Sequence, residues 1–82
     1  MSIELNIRWQ KGNFRYYKLL VYQDLFNDWI VTTAWGGLRS RLGNFKNSTF
    51  ATHKDAMDYV DFIALRRTKR GYVKQKQKVM NL

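Results

Sequence analysis

With 82 residues, 45% of them hydrophobic and 16% aromatic, and no proline, the chain has the composition of one globular domain with one core. A domain this size buries only about 60% of its unfolded surface, so its aromatic side chains carry much of the packing. Having no cysteine excludes disulfides, thiolate catalysis and cysteine-type zinc sites, while fifteen Lys and Arg against six Asp and Glu leave a net charge of +9 that draws polyanions.

The first segment alternates cleanly. Ile3, Leu5, Ile7 and Trp9 interleave with Glu4, Asn6, Arg8 and Gln10, the period of a strand with one buried face. Lys11-Gly12-Asn13 supplies turn chemistry, and the run Phe14 to Tyr22 returns to complete a hairpin. That run is apolar or aromatic on both parities, which predicts an inner strand covered on more than one side. After a polar connection from Asp24 to Asp28, the β-branched and aromatic run Trp29 to Trp35 forms a third strand ending at Gly36-Gly37. Residues 36 to 44 hold three glycines and two arginines, a loop or irregular hairpin that bends sharply while displaying positive charge. A shorter fourth strand is predicted from Phe45 to Ala51.

The period then changes. Thr52 is an N-cap candidate with Asp55 three residues on, so a helix is predicted from about His53. Ala56, Met57, Val60, Ile63 and Ala64 share its apolar face, and Arg66, Arg67, Lys69 and Arg70 crowd its C-terminus before the stop at Gly71. Phe62 and Leu65 project away from that face, toward the chain's own tail or a partner protein. Tyr72-Val73 is placed to dock back on the domain. The fold class expected is therefore α+β: an antiparallel sheet of about four strands with one helix packed on it, residues 1–73 forming the domain and 74–82 a basic, solvated tail.

Charge is polarised along the chain. All six carboxylates precede residue 62, whereas Arg66, Arg67, Lys69, Arg70, Lys74, Lys76 and Lys78 follow it without an acid. The helix dipole accounts for one or two C-terminal cations at about 0.3–1 kcal/mol each. The remainder is open between a solvated face and a second phosphate-contacting patch.

Tyr16-Tyr17-Lys18-Leu19, Trp35-Gly36, Gly43 and the helix Lys54-Asp55-Ala56-Met57-Asp58-Tyr59 occur in an order and spacing that resembles a WGR domain, over roughly residues 14 to 73. Such domains occur in poly(ADP-ribose) polymerases and in small bacterial proteins. The resemblance implies an antiparallel sheet with one helix and, as in the polymerases, a DNA-contacting surface where the motif tryptophan, matched by Trp35, lies against the sugar of a strand terminus. Lys46, three residues after Gly43, matches a basic position near the phosphate backbone. The motif arginine is Gly37 here, while Arg39 stands two residues later where glycine is usual. In extended chain Arg39 would keep the same face; a rearranged loop would send it elsewhere.

Independently of that resemblance, Trp35 beside glycines, Arg39 and Arg41 suits nucleic acid, because an indole stacks on sugars or bases and guanidinium forks meet phosphates bidentately. Trp9 and Trp29 read instead as core residues, and Phe14, Tyr16, Tyr17, Tyr22 and Phe26 as structural aromatics rather than a stacking platform. The candidate nucleic-acid site is thus Trp35, Arg39, Arg41 and Lys46, with Arg15, Arg66, Arg67, Lys69 and Arg70 adding attraction. His53 has no second ligand to share a metal and reads as a capping or packing residue, and no metal or cofactor is expected. Asp55, Asp58 and Asp61 step around the exposed side of the helix rather than converging, so no catalytic constellation is visible and the protein is expected not to be an enzyme.

The function expected is binding to nucleic acid, DNA before RNA, at backbone or ends without base-sequence specificity. The alternative is a protein-interaction or regulatory adaptor module. Met1 to Asn6 lacks a secretion pattern and no apolar stretch reaches membrane-spanning length, which leads to a cytoplasmic location with no membrane partner as the expectation.

Overall fold

The computed structural model describes residues 3–40 and 42–75. Five strands and one helix follow in the order β1 (Ile3–Lys11), β2 (Arg15–Gln23), β3 (Trp29–Gly37), β4 (Gly43–Phe50), α1 (His53–Lys69) and β5 (Val73–Lys74). The strands form one antiparallel sheet ordered β4-β3-β2-β1-β5. The first four are a meander of sequential hairpins, and α1 then carries the chain back so that β5 pairs with Trp9 and Gln10 on the far edge. The expected α+β architecture is what the structure has, with a fifth strand of two residues beyond the four that alternation marks.

Local chemistry sets each boundary. Gly12 (φ 56°) turns β1 into β2, and Asn27 (φ 65°) turns β2 into β3. In the second turn the Asp24 carboxylate accepts from the backbone N–H of Phe26 at 2.9 Å and of Asp28 at 3.0 Å, an Asx arrangement that competes with further pairing. Thr52 caps α1, its hydroxyl accepting from Asp55 N–H at 3.1 Å.

The helix stop is a Schellman motif. Arg70 is the C-cap, Gly71 follows at φ 86°, the Gly71 N–H donates to Thr68 O at 3.1 Å and the Tyr72 N–H donates to Arg67 O at 2.9 Å. In such a stop the residue two beyond the cap contacts the residue three before it, so the motif brings Tyr72 against Arg67.

Burial follows the pleat. Ile7 and Trp9 from β1, Leu19 and Val21 from β2, and Val31 and Thr33 from β3 meet Ala56, Val60 and Ile63 of α1 in one core. Leu5, Trp29, Phe50, Met57, Tyr59 and Ala64 close its margin. The expectation that β2 is central holds in the strand order, but the expectation that it is covered on more than one side does not. Lys18 on its other parity is exposed, Tyr16, Leu20 and Tyr22 are half-buried, and among the described residues no element packs on that face. The apolar parity there is a half-exposed sheet surface, not a second core.

Phe62 and Leu65 stay exposed, and Val73, although paired in β5, is 65% exposed. The tail expected from Lys74 lies outside the described residues from Lys76 onward. No helix among the described residues is long and apolar enough to cross a membrane.

Candidate nucleic-acid interface

Trp29, Val31, Thr33 and Trp35 share the helix-facing side of β3. Alternation would lead both tryptophans into the core, yet they end differently. Trp29 lies under the first turn of α1, with the His53 ring 4.7 Å away in an edge contact, and His53 Nε2 is 3.1 Å from Glu4 Oε1. His53 is therefore a packing residue, as expected. At the other end of β3 the helix has finished, and Trp35 stacks instead on Tyr17, its cross-strand partner, at 5.9 Å and 14° between planes.

Tyr17 is the hub. Trp9 meets it edge-on at 6.0 Å and Tyr72 at 6.3 Å, while the Arg67 guanidinium carbon sits 4.2 Å from its ring centroid and 5.1 Å from that of Tyr72. The Schellman turn and the cross-strand pair thus converge on one guanidinium clamped between two tyrosines. Lys11 Nζ is 6.0 Å from the Tyr72 ring centroid.

These side chains enclose a trough of about 510 Å³ lined by Lys11, Arg15, Tyr17, Trp35, Arg67, Arg70 and Tyr72. A second hollow of about 400 Å³, lined among others by Phe14, Gly36, Gly37 and Leu42, shares Arg15, Trp35 and Tyr72 with it, so the indole stands between two open spaces. The trough has three aromatic walls, four cations and no acid among its lining residues. Arg67 Nε is a buried donor with no hydrogen-bond partner among the described residues. An unmatched buried donor costs about 1–3 kcal/mol, a cost that a ligand acceptor or an ordered water in the trough would remove.

The geometry agrees with a family match. A model of the WGR domain matches residues 1–79, essentially the whole chain. The chain belongs to the WGR domain family. No curated protein and no solved structure matches it.

In this WGR domain the residues singled out from sequence separate into three groups. Trp35, Arg15, Arg67 and Arg70 are brought together in the trough. Lys46 is exposed on β4, opposite Thr33 and on the same face as Trp35, but does not line the trough. Arg66 and Lys69 are exposed on other sides of α1, Arg66 lying 5.7 Å over the Phe62 ring. Arg39 is exposed in a tight turn, closed by the Ser40 N–H donating to Gly37 O at 3.2 Å. The extended geometry that would have returned Arg39 to the Trp35 face is therefore absent, because β3 ends at Gly37. Arg41 lies outside the described residues.

Sequence reasoning missed Lys11, Tyr17 and Tyr72 as site residues. Tyr17 shares a parity with the core residues Leu19 and Val21, so only its register opposite Trp35 distinguishes it. The signal for Tyr72 was present in Arg67…Gly71-Tyr72, since a helix stop at glycine sets that pair in contact.

Two glycines shape the other side of this end. Gly36 and Gly43 are cross-strand partners, and a Cβ on either would meet the Tyr16 hydroxyl, at 3.2 and 2.9 Å respectively. They make room for Tyr16 on the opposite face of the sheet.

Proposed function

We propose that this WGR domain binds the sugar-phosphate backbone of nucleic acid at a strand terminus, DNA before RNA, by admitting it to the trough beside Trp35. The observation that carries this is the combination of a Trp35–Tyr17–Tyr72 aromatic wall with Lys11, Arg15, Arg67 and Arg70 and no acid in the lining. An indole face offers a sugar or terminal base a stacking surface, and guanidinium and ammonium groups around it offer phosphate charge-assisted hydrogen bonds. None of these contacts distinguishes one base from another, so the binding reads backbone and ends rather than sequence. It involves no reaction.

Fluorescence anisotropy with a blunt duplex and a closed hairpin duplex of equal length, across a salt series, tests this. If all four trough cations meet phosphates, the log–log salt slope on the blunt duplex is about −3.6. Preference for the free end is expected, and Trp35→Ala is expected to remove it. Equal binding to both duplexes that ignores Trp35 would overturn the reading.

A second reading, a protein-docking surface on the outer side of α1, is favoured by Phe62 and Leu65, which are 53% and 57% exposed. Apolar docking of that kind is insensitive to salt, the opposite signature.

A further inference from the structure

The face of the sheet away from α1 carries a different combination of side chains. Its cross-strand rows run perpendicular to the strands: Gly43, Gly36, Tyr16 and Gln10; then Phe45, Ala34, Lys18 and Arg8; then Asn47, Thr32, Leu20 and Asn6; then Thr49, Ile30 and Tyr22. In the second row Arg8 and Lys18 are direct cross-strand partners. Like charges directly opposite each other destabilise a sheet. Here both lean on one ring instead: the Arg8 guanidinium carbon is 5.5 Å and Lys18 Nζ 5.9 Å from the Tyr16 centroid.

No carboxylate lies on these rows. Glu4 is engaged with His53, Asp24 and Asp28 lie in the β2–β3 turn, and Asp55, Asp58 and Asp61 are on α1. Beside the two cations is a hollow of about 510 Å³ whose floor is Leu20 and Ala34 and whose rim includes Thr32 and Gln75. Phe45, 73% exposed, stands at the end of the cationic row, and Tyr22 beyond the hollow.

We propose that this face is a second binding site, for single-stranded nucleic acid crossing the strands, with phosphates held by Arg8 and Lys18 and bases resting on the Leu20–Ala34 floor and against Phe45 and Tyr16. A like-charge pair without a counter-charge is complementary to a polyanion, and the exposed Phe45 ring with the half-buried Tyr16 and Tyr22 rings on the same face suit unpaired bases, which present their faces as a duplex does not. The site shares with the trough only the class of ligand, and the two fail separately.

The test compares wild type, Arg8→Gln/Lys18→Gln and Trp35→Ala for anisotropy binding to oligothymidylate and to a blunt duplex, with thermal unfolding of each variant. Removing two single-strand phosphate contacts is expected to make the oligothymidylate salt slope less steep by about 1.4 and to weaken binding at least tenfold near physiological salt. Blunt-duplex affinity is expected to stay within about twofold, because these side chains do not line the trough, and Trp35→Ala is expected to retain oligothymidylate binding. Relief of the like-charge pair is expected to leave the unliganded double variant at least as heat-stable as wild type. Unchanged oligothymidylate affinity and slope in the double variant would overturn the site. So would equal weakening on both ligands, which is what diffuse attraction produces, or displacement of oligothymidylate by an oligoglutamate at the same concentration, which would mean an acidic protein segment.

Discussion

Trp29 and Trp35 sit six residues apart on the same face of the same strand and are both half-buried, yet one packs against the helix start and the core while the other borders an open trough. At the Trp29 end the first turn of α1 presents His53, held by Glu4, and its ring packs edge-on against the indole at the core margin. At the Trp35 end the last turn presents Arg67 and Arg70, and the helix stop turns Tyr72 inward so that aromatic rings and cations surround a space rather than fill it. The helix dipole favours acids at the first end and bases at the second, so one helix laid along one sheet gives the two tryptophans opposite electrostatic settings. The difference shows how a strand whose pattern reads as uniform core can carry a site: the partner element runs out before the apolar face does.

The sharpest way to break this comparison is to remove each indole in turn. Trp29→Ala is expected to cost about 3 kcal/mol of unfolding free energy, because it empties a packed position against His53 and the core margin. Nucleic-acid affinity of the folded fraction is expected to change little. Trp35→Ala is expected to lose about 1–3 kcal/mol of binding, the worth of a stacking aromatic, with a smaller effect on stability. Denaturant titration alongside anisotropy separates the two. If both substitutions cost stability equally and neither alters binding, the two ends are alike and Trp35 is a core residue.

A smaller effect is expected from the helix stop. Gly71 holds φ 86°, where a Cβ is strained, although the space beside it is open, the nearest atom being Lys11 Cε at 3.6 Å. Gly71→Ala is expected to cost about 1 kcal/mol through the backbone alone. Because Gly71 and Tyr72 both donate to the last turn, loosening the motif also releases Tyr72 from Arg67, so affinity for a blunt duplex is expected to fall with it. Asn27→Ala, also at positive φ but in the β2–β3 turn away from the trough, is the control for strain without loss of that contact.

How much of this was legible depends on whether the information is local. The alternation of β1, the Thr52 cap and the Gly71 stop are short-range signals, and each sits where the sequence puts it. Trp35 was singled out because glycines and arginines adjoin it and because it matches the tryptophan of the family motif. Tyr17 and Lys11 were not, since their roles depend on register across strands and on where α1 ends, which no single segment encodes. The apolar second parity of β2 suggested burial on both sides, whereas Tyr16, Leu20 and Tyr22 cover a half-exposed surface that a lone helix cannot reach. Of the two courses open to Arg39 in the sequence, the chain takes the rearranged one, because β3 ends at Gly37 and a turn follows.

The register sets one guanidinium across the ladder from the position of the family's motif arginine. Gly37 stands directly opposite Arg15, so a side chain at 37 would emerge on the same face as Arg15, Tyr17 and Trp35, at the mouth of the trough. The arginine expected there by resemblance is thus absent from β3 while one is present across the ladder on β2. A Cβ at 37 would meet Ser40 Cβ at 3.5 Å and Phe14 O at 3.6 Å, ordinary contacts, and φ there lies outside the left-handed region. Gly37→Arg is accordingly expected to change stability by less than about 0.5 kcal/mol. Arg15→Ala is expected to make the blunt-duplex salt slope less steep by about 0.9, and adding Gly37→Arg to that variant to restore it. Restoration would mean that the two positions serve one phosphate from neighbouring strands; a loss that the added guanidinium cannot repair would mean that Arg15 acts through packing against the aromatic wall and not through its charge.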